Sequence, residues 1–145
     1  MPRRPDGAAS VLAVLDSEAL AALAFPRDHA KAARRAQAVL TAVERLGGRA
    51  CVPAPVLVEV ARSAARRAAV DRVLRRLPVV DTDRAVATRA GGLLGALRLD
   101  SRHAVDALVA ATALGGRPAV VLTGDPDDLS RLVGDAVGVR VEPLP

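Results

Sequence analysis

Several residue types are absent or nearly absent from this chain of 145 residues. Trp and Tyr are missing and Phe25 is the single aromatic residue, so the core must be aliphatic and stacking platforms for single-stranded bases are lacking. Cys51 is the one cysteine, which excludes an internal disulfide. No apolar run approaches the roughly 20 residues that a membrane span needs. We therefore expect a cytoplasmic protein that does not interact with a membrane.

Motifs for other nucleotide and phosphoryl chemistries are also missing. The residues after the first apolar run read D-S-E-A-L-A, without the glycine pattern of a dinucleotide-binding loop, and there is no P-loop. A receiver domain or phospho-aspartyl hydrolase would need a lysine late in the chain. The only lysine is Lys31, which lies in an early helical segment. These protein classes are therefore disfavoured.

What the chain has in excess is arginine. The formal net charge is +5, and Lys31 is the only lysine among 21 Lys and Arg residues. The arginine fork suits phosphate, so a dense group of arginines predicts an RNA-binding surface. That group contains Arg62, Arg66, Arg67, Arg72, Arg75 and Arg76. The alternative is that these side chains reflect base composition and only keep a helix soluble.

Short apolar runs alternate with longer amphipathic stretches. The runs predict strands at residues 11–15, about 50–52, 78–80, 118–122 and 139–141. The stretches predict helices near 17–24, 29–46, 54–68, 69–76, 82–97, 103–115 and 126–133. This alternation indicates an α/β three-layer sandwich, with a central parallel sheet of about five strands covered by helices on both faces. We expect one domain over residues 10–145, preceded by a flexible basic tail over residues 1–9.

Four acidic residues lie in mostly apolar surroundings, at Asp16, Glu59, Asp106 and Asp125. An ionised carboxylate beside a packed core is costly unless a cation or hydrogen-bond donor compensates it. Asp16 and Asp125 follow predicted strands, and the other two lie early in predicted helices, so all four are expected at the carboxyl edge of the sheet. Carboxylates favour Mg²⁺ or Mn²⁺, which could activate a water. Thr123 is placed to hydrogen-bond a carboxylate or a metal-bound water.

Each of these acids also has a structural interpretation. Asp16 is a suitable N-cap for the helix that begins at Ser17, and one acid of the G-D-P-D-D-L segment is expected to cap the next helix. Asp106 would also be favoured simply by the positive end of its helix. His103 is interpreted as a cap or solvated group, or as a ligand.

The ordered set of acids, together with V-L-V-E, V-D-A-L-V-A-A-T-A and T-G-D-P-D-D-L, resembles the PIN domain family, with most similarity to its VapC-type toxins. The resemblance implies a PIN-like fold and a Mg²⁺- or Mn²⁺-dependent endoribonuclease that cleaves structured RNA such as tRNA or rRNA. It also implies a homodimer and a cognate VapB-type antitoxin whose tail enters the active site. Position by position, it assigns the acidic quartet to Asp16, Glu59, Asp106 and Asp125.

At two positions the resemblance to the family is incomplete: the fourth acid is not decided between Asp125 and Asp128, and His103 departs from the pattern. The resemblance leaves open whether Asp128 assists Asp125 or replaces it as the fourth metal ligand. His103 stands where relatives often carry an acid, and we expect it to contact phosphate or to reach the metal through water. The arginine group would then contact RNA or the antitoxin. The alternative function is a non-catalytic PIN-like module that binds RNA or a protein.

Overall fold

Five short segments form one parallel sheet in the computed structural model, which describes residues 10–145. The strands are β1 (Leu12–Leu15), β2 (Arg49–Pro53), β3 (Val79–Val80), β4 (Ala119–Thr123) and β5 (Val139–Pro143). Their order is β3-β2-β1-β4-β5, and every neighbouring pair is parallel. The sheet predicted from the apolar runs is therefore confirmed. The basic tail expected over residues 1–9 lies outside the described residues.

Seven α-helices connect the strands within residues 10–145. They are α1 (Ser17–Ala24), α2 (Ala30–Arg45), α3 (Val56–Val60), α4 (Ala64–Leu74), α5 (Arg84–Leu97), α6 (Ala104–Gly115) and α7 (Pro126–Val133), with a 3-10 helix at Ser101–His103 before α6. The helix α1 packs against α2, α3 and α4, whereas α6 packs against α5 and α7. Because crossovers between parallel strands are right-handed as a rule, this strand order is expected to place the two groups on opposite faces of the sheet.

One predicted helix boundary was wrong. The pattern predicts helices over 54–68 and 69–76, but the chain leaves the helix after Val60 and re-enters it at Ala64. Ser63 causes this break, because its extended backbone and side-chain oxygen cap α4 by accepting a hydrogen bond from the Arg66 N–H. The short helix α3, which carries Glu59, is thereby separated from the arginine-rich helix α4.

The core is aliphatic, as the shortage of aromatic residues requires. Strand β1 is buried along its whole length, and β4 likewise. Cys51 lies in the core, where burial raises the pKa of its thiol to about 11 and keeps it protonated. None of the helices between residues 10 and 145 combines the length and apolar character needed to cross a bilayer.

The strand order reverses between β1 and β4, which makes this pair the topological switch point of the sheet. From β1 the chain winds outward to β2 and β3, then crosses back to β4 and continues to β5. Adjacent parallel strands whose connections leave in opposite directions open a crevice at their carboxyl ends. Asp16 directly follows β1, and Gly124 and Asp125 follow β4, so both segments border this crevice.

Candidate metal centre

Asp16 is a buried carboxylate at the end of β1. Asp16 is only 4% exposed. Its Oδ1 caps α1 by accepting a hydrogen bond from the Ala19 N–H at 2.8 Å. The other oxygen accepts from the Gly124 N–H at 3.3 Å. Burial raises the pKa of Asp16 to about 6, against the opposing effect of hydrogen bonds from Thr123 and these backbone groups. Asp16 thus caps a helix and also faces the crevice between β1 and β4.

Glu18 is an acidic neighbour that the sequence pattern did not single out. Its negative charge contributes to the raised pKa of Asp16. Its carboxylate also occupies the space that a Cβ atom on Gly124 would need. Because Glu18 lies two residues after Asp16 on an exposed part of α1, sequence spacing alone gave no reason to place it beside the β4 loop.

Asp106 is a half-buried carboxylate in the first turn of α6. Its pKa is raised to about 6, first by burial and then by the negative charges of Asp125, Glu59 and Asp128. His103 acts in the opposite direction and lowers it. These groups come from α3, the start of α6 and the start of α7, so three separate segments bring their charges to Asp106.

Within residues 10–145, His103, Asp106 and Asp128 form a group of side chains that could hold a metal ion. One ligand atom from each of these side chains lies within 4.8 Å of the others. The His103 Nδ1 is 3.5 Å from the Asp128 Oδ2, and both side chains are about one-quarter exposed. Two carboxylates and an imidazole are a donor set that fits a divalent cation. Asp128, an alternative to Asp125 at the sequence level, is therefore the aspartate of α7 that lies within this group.

Asp125 occupies a different position from Asp128. It is the N-cap of α7, where its Oδ1 accepts a hydrogen bond from the Asp128 N–H at 3.3 Å. Its own N–H donates to the Thr123 Oγ1 at 2.8 Å. Thr123 is fully buried and also hydrogen-bonds Asp16, so it links the two strand ends. Asp125 remains exposed, and its charge still acts on Asp106.

The acidic residues therefore lie along one edge of the sheet in two connected parts. Glu59, Asp125, Asp128 and His103 each act electrostatically on Asp106. Asp16 is joined to this group by hydrogen bonds to the loop that contains Gly124. Because a carboxylate with a raised pKa is stabilised by a nearby cation, this edge is suited to bind a divalent metal.

The arginine group divides into residues with different surroundings. The Arg66 guanidinium stacks on Phe25, with 4.6 Å between its central carbon and the ring centroid, and its Nε donates to the Val60 carbonyl at 3.1 Å. The Arg62 Nε donates to the Val58 carbonyl at 3.4 Å. Arg67 is exposed on α4.

The remaining three arginines lie on a groove between α2 and α4. Arg72, Arg75 and Arg76 line this groove, which has a volume of about 890 Å³. Its lining also includes the polar residues Gln37, Glu44 and Arg49 and the aliphatic residues Leu23, Leu40, Val43, Val73 and Leu77. The groove is separate from the acidic edge, since none of the predicted metal ligands lines it.

Comparison with known proteins identifies the fold. A family model described as the PIN domain matches residues 13–134. A solved VapBC2 complex from Rickettsia felis, bound to a DNA fragment from its promoter, is similar to this chain with a TM-score of 0.67 and 17% sequence identity, over 92% of this chain and 99% of that chain. A toxin–antitoxin complex from Klebsiella pneumoniae is similar with a TM-score of 0.60 and 21% identity, over 88% of this chain and 94% of that chain. No curated protein sequence matches.

Proposed function

Because the chain belongs to the PIN domain family, we propose that it is a VapC-type toxin. In this proposal it is a metal-dependent endoribonuclease that hydrolyses phosphodiester bonds in structured RNA such as tRNA or rRNA. The observation that carries the proposal is the arrangement of acids at the switch between β1 and β4. The charges of Glu59 and Asp125 both act on Asp106, and Asp16 is hydrogen-bonded to Gly124, next to Asp125.

Mg²⁺ or Mn²⁺ is the proposed cofactor, held by carboxylates of the predicted quartet, Asp16, Glu59, Asp106 and Asp125, and by Asp128. When bound, such an ion would supply a polarised water and stabilise negative charge on the phosphodiester. The chain's own residues hold the edge in place: Thr123 hydrogen-bonds Asp16 and accepts from the Asp125 N–H. Exposed arginines such as Arg67 would attract the RNA backbone.

The proposed protein partner is a VapB-type antitoxin. Both solved structures described above contain toxin–antitoxin complexes, which supports this choice by fold similarity. Arg72, Arg75 and Arg76 on a groove lined partly by aliphatic side chains would suit a segment that carries both acidic and apolar side chains. We also propose a homodimer, which a monomer mass at micromolar concentration in solution scattering would rule out.

The nuclease proposal is tested by incubating the purified full chain with tRNA or total RNA. We expect cleavage with Mg²⁺ or Mn²⁺, loss of cleavage with EDTA, and loss in Asp16→Asn. The matched control is Asp135→Asn, which changes an exposed aspartate outside the acidic edge. If Asp16→Asn cleaved RNA at the wild-type rate, the proposed mechanism would be wrong.

The second candidate is a non-catalytic PIN-like module. The observation that favours it is the positive charge of the chain, which would bind RNA whether or not a metal is held. RNA binding that is retained in EDTA, with no cleavage under any divalent metal, would support this candidate over the nuclease.

A further inference from the structure

We propose that His103 is a direct metal ligand, and that with Asp106 and Asp128 it makes the site select borderline transition metals such as Mn²⁺ and Co²⁺ over Mg²⁺. This inference deepens the proposed function, on which it rests for the use of a metal. In this proposal His103 coordinates the ion directly. It neither contacts the phosphate nor reaches the ion through a water.

The first support is geometric. Ligands bound to one such ion at about 2.1 Å each would lie roughly 3–4 Å from one another. The distance between the His103 Nδ1 and the Asp128 Oδ2, 3.5 Å, is already in that range. The ligand atoms of His103, Asp106 and Asp128 all lie within 4.8 Å of one another, so small side-chain rotations would complete the set.

The second support is that the His103 imidazole makes no hydrogen bond that caps the helix it precedes. The 3-10 helix that leads into α6 is capped by Asp100, whose side chain accepts a hydrogen bond from the Arg102 N–H at 3.0 Å. His103 is the N-cap of α6, but its side chain makes no capping hydrogen bond. Its ring is instead turned toward Asp128, on a different helix.

The spacing of His103 and Asp106 gives the third support. Residues three apart at the start of a helix lie on one side of it, and Asp128 approaches that side from the first turn of α7. A carboxylate at position 103 would have given a set of oxygen ligands alone. The imidazole shifts the preference toward transition metals, because nitrogen ligands favour these ions while Mg²⁺ prefers oxygen.

The alternative is that His103 and Asp128 form only an ion pair between α6 and α7. Their separation of 3.5 Å is compatible with such a pair. The two interpretations differ in their metal binding. An ion pair alone would leave the ratio of Mn²⁺ to Mg²⁺ affinity insensitive to the residue at 103.

The test measures metal binding by the full chain without RNA. Mn²⁺, Co²⁺ and Mg²⁺ are titrated separately by calorimetry into wild type, His103→Asp and His103→Gln. The control is His29→Gln, which changes the other, exposed histidine, at the start of α2. Circular dichroism before each titration establishes that every variant is folded.

We expect wild type and His29→Gln to bind Mn²⁺ and Co²⁺ more tightly than Mg²⁺. In His103→Gln the affinity for both transition metals should fall about tenfold or more. In His103→Asp the preference over Mg²⁺ should fall by a similar factor while Mg²⁺ binding is retained. Imidazole NMR resonances of His103 should also be broadened by Mn²⁺ before those of His29.

An unchanged ratio of Mn²⁺ to Mg²⁺ affinity in both His103 variants would overturn the assignment. That failure is distinguishable from failure of the nuclease proposal, which depends on RNA cleavage and not on the metal ratio. Cleavage by His103→Asp with Mg²⁺ would leave the nuclease proposal intact, whichever way the titrations came out.

Discussion

The Oδ2 atom of Asp16 accepts a hydrogen bond from the backbone N–H of Gly124, so one buried carboxylate joins the ends of β1 and β4. The strand order of the sheet reverses between these two adjacent strands. The bond therefore fixes the separation of two loops that border the crevice. Asp16 contributes to the geometry of the site as well as to its charge.

Without metal, we expect the free energy of unfolding to fall as pH rises from about 4 to 7. Burial raises the folded pKa of Asp16 to about 6 from the usual 3.8, so over this range the native state binds more protons than the unfolded state. The fall due to Asp16 should be about 2–3 kcal/mol when complete. Urea unfolding in EDTA at several pH values measures it.

The matched variant for this pH dependence is Asp16→Asn. Asparagine cannot ionise, so the fall in stability between pH 4 and 7 should become smaller, although Asp106, whose pKa is also about 6, still contributes. An identical pH dependence in wild type and Asp16→Asn would show that the carboxylate is not the cause.

Divalent metal should stabilise the folded protein. A cation that binds only the native state adds about 2.7 kcal/mol at a concentration one hundred times its Kd. We expect Mn²⁺ to raise the Tm and EDTA to reverse the increase, while Asp106→Asn should show a much smaller response. Differential scanning calorimetry checks this, with Asp135→Asn as the control. An equal increase in Asp106→Asn would place the metal elsewhere.

A side chain at Gly124 should be tolerated at a small cost. A Cβ atom there would meet the Glu18 carboxylate, which ends an exposed, flexible side chain and can rotate away. It would also meet the Glu18 Cβ at 2.9 Å, so we expect Gly124→Ala to cost about 1 kcal/mol of stability. Adding Glu18→Ala should recover part of that loss, because it removes the carboxylate and leaves only the contact with the Cβ of residue 18. Denaturant unfolding of both single variants and the double variant tests the coupling. Strictly additive losses would mean that the two residues do not compete for space.

Arg66 should matter for stability, whereas Arg67 beside it should not. Arg66→Ala loses the stacking on Phe25 and the hydrogen bond to the Val60 carbonyl, which together stabilise the end of α3 by about 1–2 kcal/mol. Arg67→Ala is the control on the exposed side of α4. Urea unfolding distinguishes them. Equal stability of the two variants would show that the Arg66 contacts do not stabilise the fold.

The alternation of apolar runs and helices was enough to predict the sheet, because buried parallel strands must be short and continuously apolar. The break after Val60 was not predicted. It depends on Ser63 capping a helix within a stretch whose composition is helical on both sides. A capping serine competes with helix continuation only through local hydrogen bonds, which an apolar pattern does not reveal.

The sequence order of the acids also predicted which strand ends would carry them. It could not predict the pairing of His103 with Asp128, since this depends on how closely the starts of α6 and α7 approach. Nor could it predict the contact between Glu18 and Gly124, which depends on the separation of the β1 and β4 loops. Both contacts are set by the packing of elements distant in sequence.

The most direct test of the nuclease account is the single-turnover rate of tRNA cleavage in Mn²⁺ by wild type, Asp106→Asn and Asp135→Asn. Asp106 is the residue on which the charges of Glu59, Asp125, Asp128 and His103 act. We expect the Asp106→Asn rate to fall about a hundredfold or more, the Asp135→Asn rate to equal that of wild type, and EDTA to abolish cleavage by all three proteins. Cleavage by Asp106→Asn at the wild-type rate, or wild-type cleavage that persists in EDTA, would contradict the account.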